Sequence, residues 1–463
     1  MNERPRWLLA AGAWACLSAA AAPGPAWPRP DAGTPVALAR AAADSLARAA
    51  QDSLAQARAD SLARALADSA RVARWREDLR ALRDSLPARH VDLFWRTPRA
   101  RFEAVLDSLE GILHVTPDPL IVAGLTLAAA IADAHTGVEW NGDMPGFQDL
   151  PLFLQPFEEG WFVAAADSTH ARLLGARLLA VDGTPVAEAL ARLRPFVPHE
   201  NDAWFEDQAP LALASSALLA AAGVARDAAA ATWTFEDSLG ARFEARIAPL
   251  PAGRRRVWRT YLQAAGVPPV AASQRQHENY WARWMPESRT LFVRYNRCAD
   301  VDTFPFRAFA ESLLALADSA RAERLVVDLR RNGGGNSTVI RPLIQGVRER
   351  RWLNRRGRLF VLIGRRTFSS AMMNALEFRA RTRALLVGTP TGGRPNSHGE
   401  VRRFTLPHSR LDVTYSTRFW KLTRRDDPWV EPDVTVPVRW ADYRIGRDAA
   451  LEAVLGEPPV STR

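Results

Sequence analysis

The chain has almost no lysine: of its 61 basic residues, only Lys421 is not arginine. A lysine can surrender its proton and serve as a base, but arginine, with a pKa above about 12, holds a negligible neutral fraction near pH 7. Arginine in place of lysine throughout is what a GC-rich coding sequence produces. Cysteine is as scarce, with Cys16 and Cys298 alone. If a leader carrying Cys16 is removed, no intramolecular disulfide is possible. There is no HExxH and no CxxC, so nothing supports a zinc site, and NGGGNST from Asn332 lacks the lysine of a phosphate-binding loop. No metal or other cofactor is expected. The formal charge of +10 is spread over dispersed arginines without a nucleic-acid motif, which argues against a nucleic-acid partner. No apolar run is long enough for a stable membrane span.

What is present begins with MNERPR, followed by an alanine-rich apolar run from Trp7 to Ala22 and a Pro-rich stretch to Pro30. That is the pattern of a secretory signal peptide over residues 1–22, so the expected location is exported, periplasmic or extracellular. A retained anchor is the plain alternative, and Cys16 leaves a lipoprotein open. Residues 23–74 read as a Pro-rich linker and a helical spacer, with Asp-Ser-Leu-Ala-Arg repeating from Asp44 and Asp60 and a variant from Asp52. At about 100° per residue an eight-residue period drifts by roughly 80° per repeat, so no apolar seam persists.

Residues 75–140 are helical in pattern, through Leu79, Leu82 and Leu86, then Phe102 to Leu109, then an apolar run from Leu120 to Ile131 that delivers Asp133-Ala134-His135-Thr136. Residues 141–255 turn to short strands. Within them Leu174 to Val186, LGARLLAVDGTPV, resembles the last strands of a PDZ domain, a module that binds extended peptides by strand addition. From 256 to 463 apolar strands alternate with helical segments, which argues for a largely parallel sheet flanked by helices.

Two elements in this last region carry chemistry. The strand at Leu325–Asp328 runs into Gly333-Gly334-Gly335, where backbone N–H groups can converge on an anion with no Cβ in the way. The strand at Leu359–Ile363 leads to Thr367-Phe368-Ser369-Ser370 at the start of a helical pattern, where the helix dipole favours developing negative charge. They read as the oxyanion hole and nucleophile of a serine hydrolase. The plain alternative is that Ser369 only caps the next helix.

The phrases VVDLRRNGGGN, TFSSAMMNALEF and VGTPTGGRPN resemble, in order and spacing, the core of the tail-specific (C-terminal-processing) serine peptidases. The resemblance spans roughly residues 76–440 and is nearest to the branch with tricorn protease and the interphotoreceptor retinoid-binding proteins. It implies an α/β fold: a ClpP/crotonase-like core, an N-terminal helical region and a β-rich, PDZ-like insert. It places the nucleophile on Ser369, ahead of Ser370, and the oxyanion donors on the N–H groups of Ser370 and Gly334, with Gly335 as the other choice for the latter.

In the tail-specific branch the base is a lysine, and the matching position is Arg394, which cannot serve; Lys421 lies outside the motif. The other branch supplies a histidine from a phrase that appears here as ADAHT, making His135 the base. His398 is the runner-up, and Asp133 and Thr136 are possible aids. The orienting acid falls on Asp426, with Asp427 and Glu431 as neighbours and a surface acidic cluster as the plain alternative. Gly392, Gly393 and Arg394 would flank the substrate, with Arg394 free to take a peptide's terminal carboxylate. The implied function is an exported serine peptidase acting on peptides or proteins. The alternative is a non-catalytic ligand- or peptide-binding protein on the same core.

Overall fold

The computed structural model describes residues 34–140, 144–251, 256–268, 270–271 and 274–456, so the expected leader over residues 1–22 lies outside the described residues. The chain falls into two compact units, Met1–Ala67 and Asp68–Arg463. In the first, the described part is helical, and Leu54, Leu62 and Leu66 are all exposed, as an eight-residue period requires. One helix, Thr34–Arg89, continues through position 74, where sequence composition placed a boundary. Among the described residues no helix is long and apolar enough to cross a membrane.

The second unit holds the expected alternation of strands and helices. Strands 434–435, 385–388, 359–363, 324–328, 290–295 and 280–285 form a six-stranded sheet in that spatial order. All pairs are parallel except 280–285 with 290–295. The central strands LFVLI and TLFVRY are buried at every position, because helices cover both faces of a parallel sheet. Leu325, Val327, Leu359, Val361 and Ile363 face the helices Phe306–Ser319, Arg341–Glu349 and Ser370–Arg381. The alternate residues Val326, Phe360 and Leu362 face Leu451 and Val454 of the helix Ala449–Gly456. A buried ionic chain ties this last helix to the strand ends: Arg294 to Asp328 at 2.6 Å, Asp328 to Arg330 at 2.8 Å, and Arg330 to Asp448 at 2.7 Å.

Residues 152–260 form a separate antiparallel sheet of seven strands. Its LAVDGTP hairpin turns through Asp182 and Gly183 at φ +46° and +80°, the left-handed pair that an Asp-Gly turn supplies at little cost. A third, three-stranded sheet joins parts of the sequence far apart: Gly137–Glu139, directly after the ADAHT phrase, pairs with Asp412–Lys421, which pairs with Asn396–Thr405. This pairing brings the end of the N-terminal helical region to the C-terminal core.

Candidate active site

The glycine loop and the serine turn interlock through their own backbone. The Thr367 hydroxyl donates to Leu329 O at 2.9 Å, Phe368 N–H donates to Asn332 O at 3.1 Å, and the Ser370 hydroxyl donates to Gly335 O at 2.5 Å. The last bond separates the two serines: the Ser370 side chain is committed to structure, and among the described residues no hydrogen bond engages the Ser369 hydroxyl. Ser369 stands at the N-cap position of Ser370–Arg381 without capping it, and its backbone has φ +50° and ψ −124°. A non-glycine residue in that region is strained by about 1–3 kcal/mol and persists only where its surroundings enforce it. Here they do, since a Cβ on Gly334 would lie 2.9 Å from the Ser369 Cβ, and one on Gly393 would lie 3.1 Å from the Ser369 N.

The Gly334 amide departs from its expected role. It donates to Asn332 Oδ1 at 2.9 Å, so it is not available to an oxyanion. Gly335, the other choice, sits in a bridge with Cys298. Cys298 N–H donates to Gly334 O at 3.0 Å and Asn336 N–H donates to Cys298 O at 2.6 Å. Neither bond of that bridge uses the N–H or C=O of Gly335 itself, and its C=O meets the Ser370 hydroxyl. Ser370 N–H, in the first turn of its helix, has no carbonyl four residues back to bond. An Asn two residues before a glycine is an Asx-turn signal, so the occupancy of Gly334 could have been read from Asn332.

Gly392 and Gly393 lie beneath the same turn. A Cβ on Gly392 would meet Arg365 O at 2.1 Å and one on Gly393 would meet Met372 Cβ at 2.6 Å, so close approach to the nucleophile turn accounts for both. Asn201 caps the helix Asp202–Leu213 and donates to Gly392 O and Pro428 O at 3.0 and 2.7 Å, pinning the loop to that helix.

His135 reaches this site through Phe368. Its ring centroid is 4.5 Å from that of Phe368, whose other neighbour, Trp204, is stacked at 3.7 Å. Both imidazole nitrogens are shielded from solvent and have no hydrogen-bond partner. Burial lowers the His135 pKa from its usual value, opposed by the Asp133 carboxylate and the His398 backbone. Asp133 holds the segment and leaves the ring alone: its carboxylate accepts His135 N–H at 2.8 Å, the Thr136 and Ser416 hydroxyls at 3.0 Å each, and His90 Nε2–H at 2.7 Å. His90 Nδ1 accepts Asp92 N–H at 2.9 Å, which fixes the proton on Nε2. Burial pushes the Asp133 pKa up, but His90 and the other donors hold it below the ordinary value. A cavity of about 660 Å³ opens beside His135, lined by the 137–139 strand, Trp140, Val197 and Leu211 among others.

His398 lies close by, with ring centroids 5.6 Å from His90 and 5.2 Å from Trp95. Burial lowers its pKa as well. Asp426 is not on His135. Its exposed carboxylate pairs with Arg394, so the expected orienting acid and the expected free arginine occupy each other. A short acidic side chain beside a guanidinium gains a charge-assisted bond there that a neutral imidazole does not offer. Sequence reading also missed Glu200, a buried carboxyl with both oxygens unpartnered. Burial, reinforced by Asp133, raises its pKa to about 8. The side chains of Asp427 and Glu431 are not part of the cluster: among the described residues they meet Arg425 and Trp429 at the surface. Among the described residues no cluster of His, Cys, Asp and Glu could hold a metal ion.

This α/β arrangement matches known folds. A structure of mature CPAF complexed with lactacystin superposes with a TM-score of 0.54 at 16% identity, covering 83% of this chain and 97% of that one. A second structure of mature CPAF gives 0.53 at 16% identity, over 83% and 96%. The photosystem II D1 C-terminal processing protease gives 0.35 at 15% identity, over 82% and 98%, too low to argue from. No protein-family model and no curated protein matches the sequence. The likeness to the two CPAF structures is one of fold, over nearly the whole length of those chains.

Proposed function

We propose that the protein is a serine peptidase whose nucleophile is Ser369 and whose general base is His135. The observation that carries the reading is the strained Ser369 turn: its hydroxyl is uncommitted and its backbone is forced against Gly334, while an unpartnered imidazole packs on the preceding Phe368. His135 takes the Ser369 proton as Oγ bonds to the scissile carbonyl carbon, and the N–H groups of Gly335 and Ser370 receive the oxyanion. The C–N bond breaks as the imidazolium returns the proton to the leaving amine. Water, activated by the same imidazole, then releases the acyl group from Ser369.

The lowered His135 pKa suits a base that must be neutral near pH 7. The six-stranded sheet is read as a ClpP/crotonase-like core, and the 152–260 sheet with its Asp182-Gly183 hairpin as the PDZ-like insert. Export after removal of residues 1–22 belongs to the same proposal and is checked by sequencing the mature N-terminus.

A fluorophosphonate probe, which phosphonylates an activated serine, tests the reading. Folded wild type should be labelled and Ser369→Ala should not. Absence of labelling in folded wild type would instead favour the non-catalytic binding protein.

A further inference from the structure

A second cavity, of about 260 Å³, lies outside the serine site at the carboxyl ends of the parallel strands 324–328, 359–363 and 385–388. Open α/β sheets hold their ligands at this end, because the loops leaving the strands diverge there. The cavity is lined by six arginines against three aspartates. Most of that charge is spent: Arg330 on Asp328 and Asp448, Arg447 on Asp442, and Arg365 on Glu206.

Arg331 and Arg439 form no ion pair among the described residues, and Arg366 meets Asp207 only at 3.8 Å. Arg331 lines the cavity and is an exposed residue. Desolvation by the surrounding groups, with Arg294 and Arg366 nearby, lowers its pKa, and the Asp207 carboxylate opposes the shift without closing an ion pair. The Tyr443 hydroxyl lines the same space and makes no hydrogen bond among the described residues, which adds a neutral donor.

We infer that this cavity is a binding site for a small dianionic oxyanion, a phosphate group, held by Arg331, Arg366, Arg439 and the Tyr443 hydroxyl. Two cations beyond the loose Arg366–Asp207 pair match a dianion better than a single carboxylate, and guanidinium forks fit phosphate oxygens in pairs. Neither Ser369 nor His135 lines the cavity, so the inference does not depend on the proposed peptidase activity. The site adjoins the nucleophile all the same, since Arg365 and Arg366 lead directly into Thr367, Phe368 and Ser369.

Calorimetric titration of the full chain with inorganic phosphate at fixed ionic strength tests the site, with acetate as the monoanion arm. Arg402→Ala, on the exposed face of the Asn396–Thr405 strand, controls for diffuse attraction to a basic protein. Wild type and Arg402→Ala should bind one phosphate saturably and acetate more weakly, while Arg331→Ala should lose about tenfold or more in phosphate affinity. Thermal unfolding without phosphate establishes that Arg331→Ala is folded, and Arg331→Lys should fall between it and wild type. Equal phosphate binding by Arg331→Ala and Arg402→Ala, no saturable binding by wild type, or acetate binding as tight as phosphate would each overturn the inference.

Discussion

The serine half and the histidine half of the candidate site are built in opposite ways. On the serine side two short loops, each following its own strand, commit nearly every polar group around them: Asn332 takes the Gly334 amide, Gly335 O takes the Ser370 hydroxyl, and Thr367 clamps the turn. The Ser369 hydroxyl is left without a hydrogen bond among the described residues. On the histidine side a single buried carboxylate, Asp133, collects His90, Thr136, Ser416 and the His135 amide from three separate stretches of chain, while neither imidazole nitrogen completes a well-formed hydrogen bond among the described residues. Ser369 is thus fixed by strain and His135 by its backbone. Asp133 holds the His135 peptide segment, and the His135 ring packs on Phe368 without an acid bonded to it among the described residues.

The contrast can be broken from either side. The largest effect belongs to the base: His135→Ala should slow fluorophosphonate labelling by about 10²- to 10⁴-fold with folding intact, whereas His398→Ala should leave labelling within an order of magnitude. Next comes the frame that holds it. Asp133→Ala leaves buried donors on His90, Thr136 and Ser416 without an acceptor, and should cost roughly 3–5 kcal/mol in urea denaturation. A loss under about 1 kcal/mol would mean that the Asp133 hub does not organise the segment.

Glu200 sharpens the same side through pH. Its folded pKa of about 8 lies above the ordinary 4.5, so the folded state keeps a proton that the unfolded chain has lost. Stability from this group is fully present below pH 4.5 and falls as the pH rises toward 8. Glu200→Gln should therefore unfold at a higher temperature than wild type at pH 9, with the gap shrinking at pH 5. A gap that widens at pH 5 would reverse the sign.

The smallest effect is expected at Asp426, whose carboxylate is exposed on Arg394. Asp426→Ala should change stability by no more than about 1 kcal/mol and leave labelling nearly unchanged. A hundredfold loss would restore Asp426 as the orienting acid.

Where the sequence spoke plainly, the signal was local. Three glycines after an apolar strand, a serine where a strand turns into a helix, and Asp-Gly in a hairpin each declare a backbone geometry that only certain residues adopt. Full burial of LFVLI follows from the same local reading. What escaped it needed partners distant in sequence. Nothing near Asp426 announces that Arg394 will claim it, and Asp133 reads as an aid to the imidazole until Ser416 and His90 converge on it. The pairing of 137–139 with 412–421 joins ends of the chain some 275 residues apart. Glu200 carries no motif at all, and only burial singles it out. The Gly334 amide is the exception, a nonlocal role lost to a local bond that Asn332 had signalled.

The account turns on a neutral His135 receiving the proton of Ser369, and the pH dependence of fluorophosphonate labelling reads that transfer directly. Burial places the His135 pKa below its usual 6.5. Wild-type labelling should thus rise with pH through a single ionisation centred below 6.5 and be level by pH 7.5, a step absent from His135→Ala. A wild-type profile that climbs only above pH 8, or one whose low-pH step survives in His135→Ala, would contradict it.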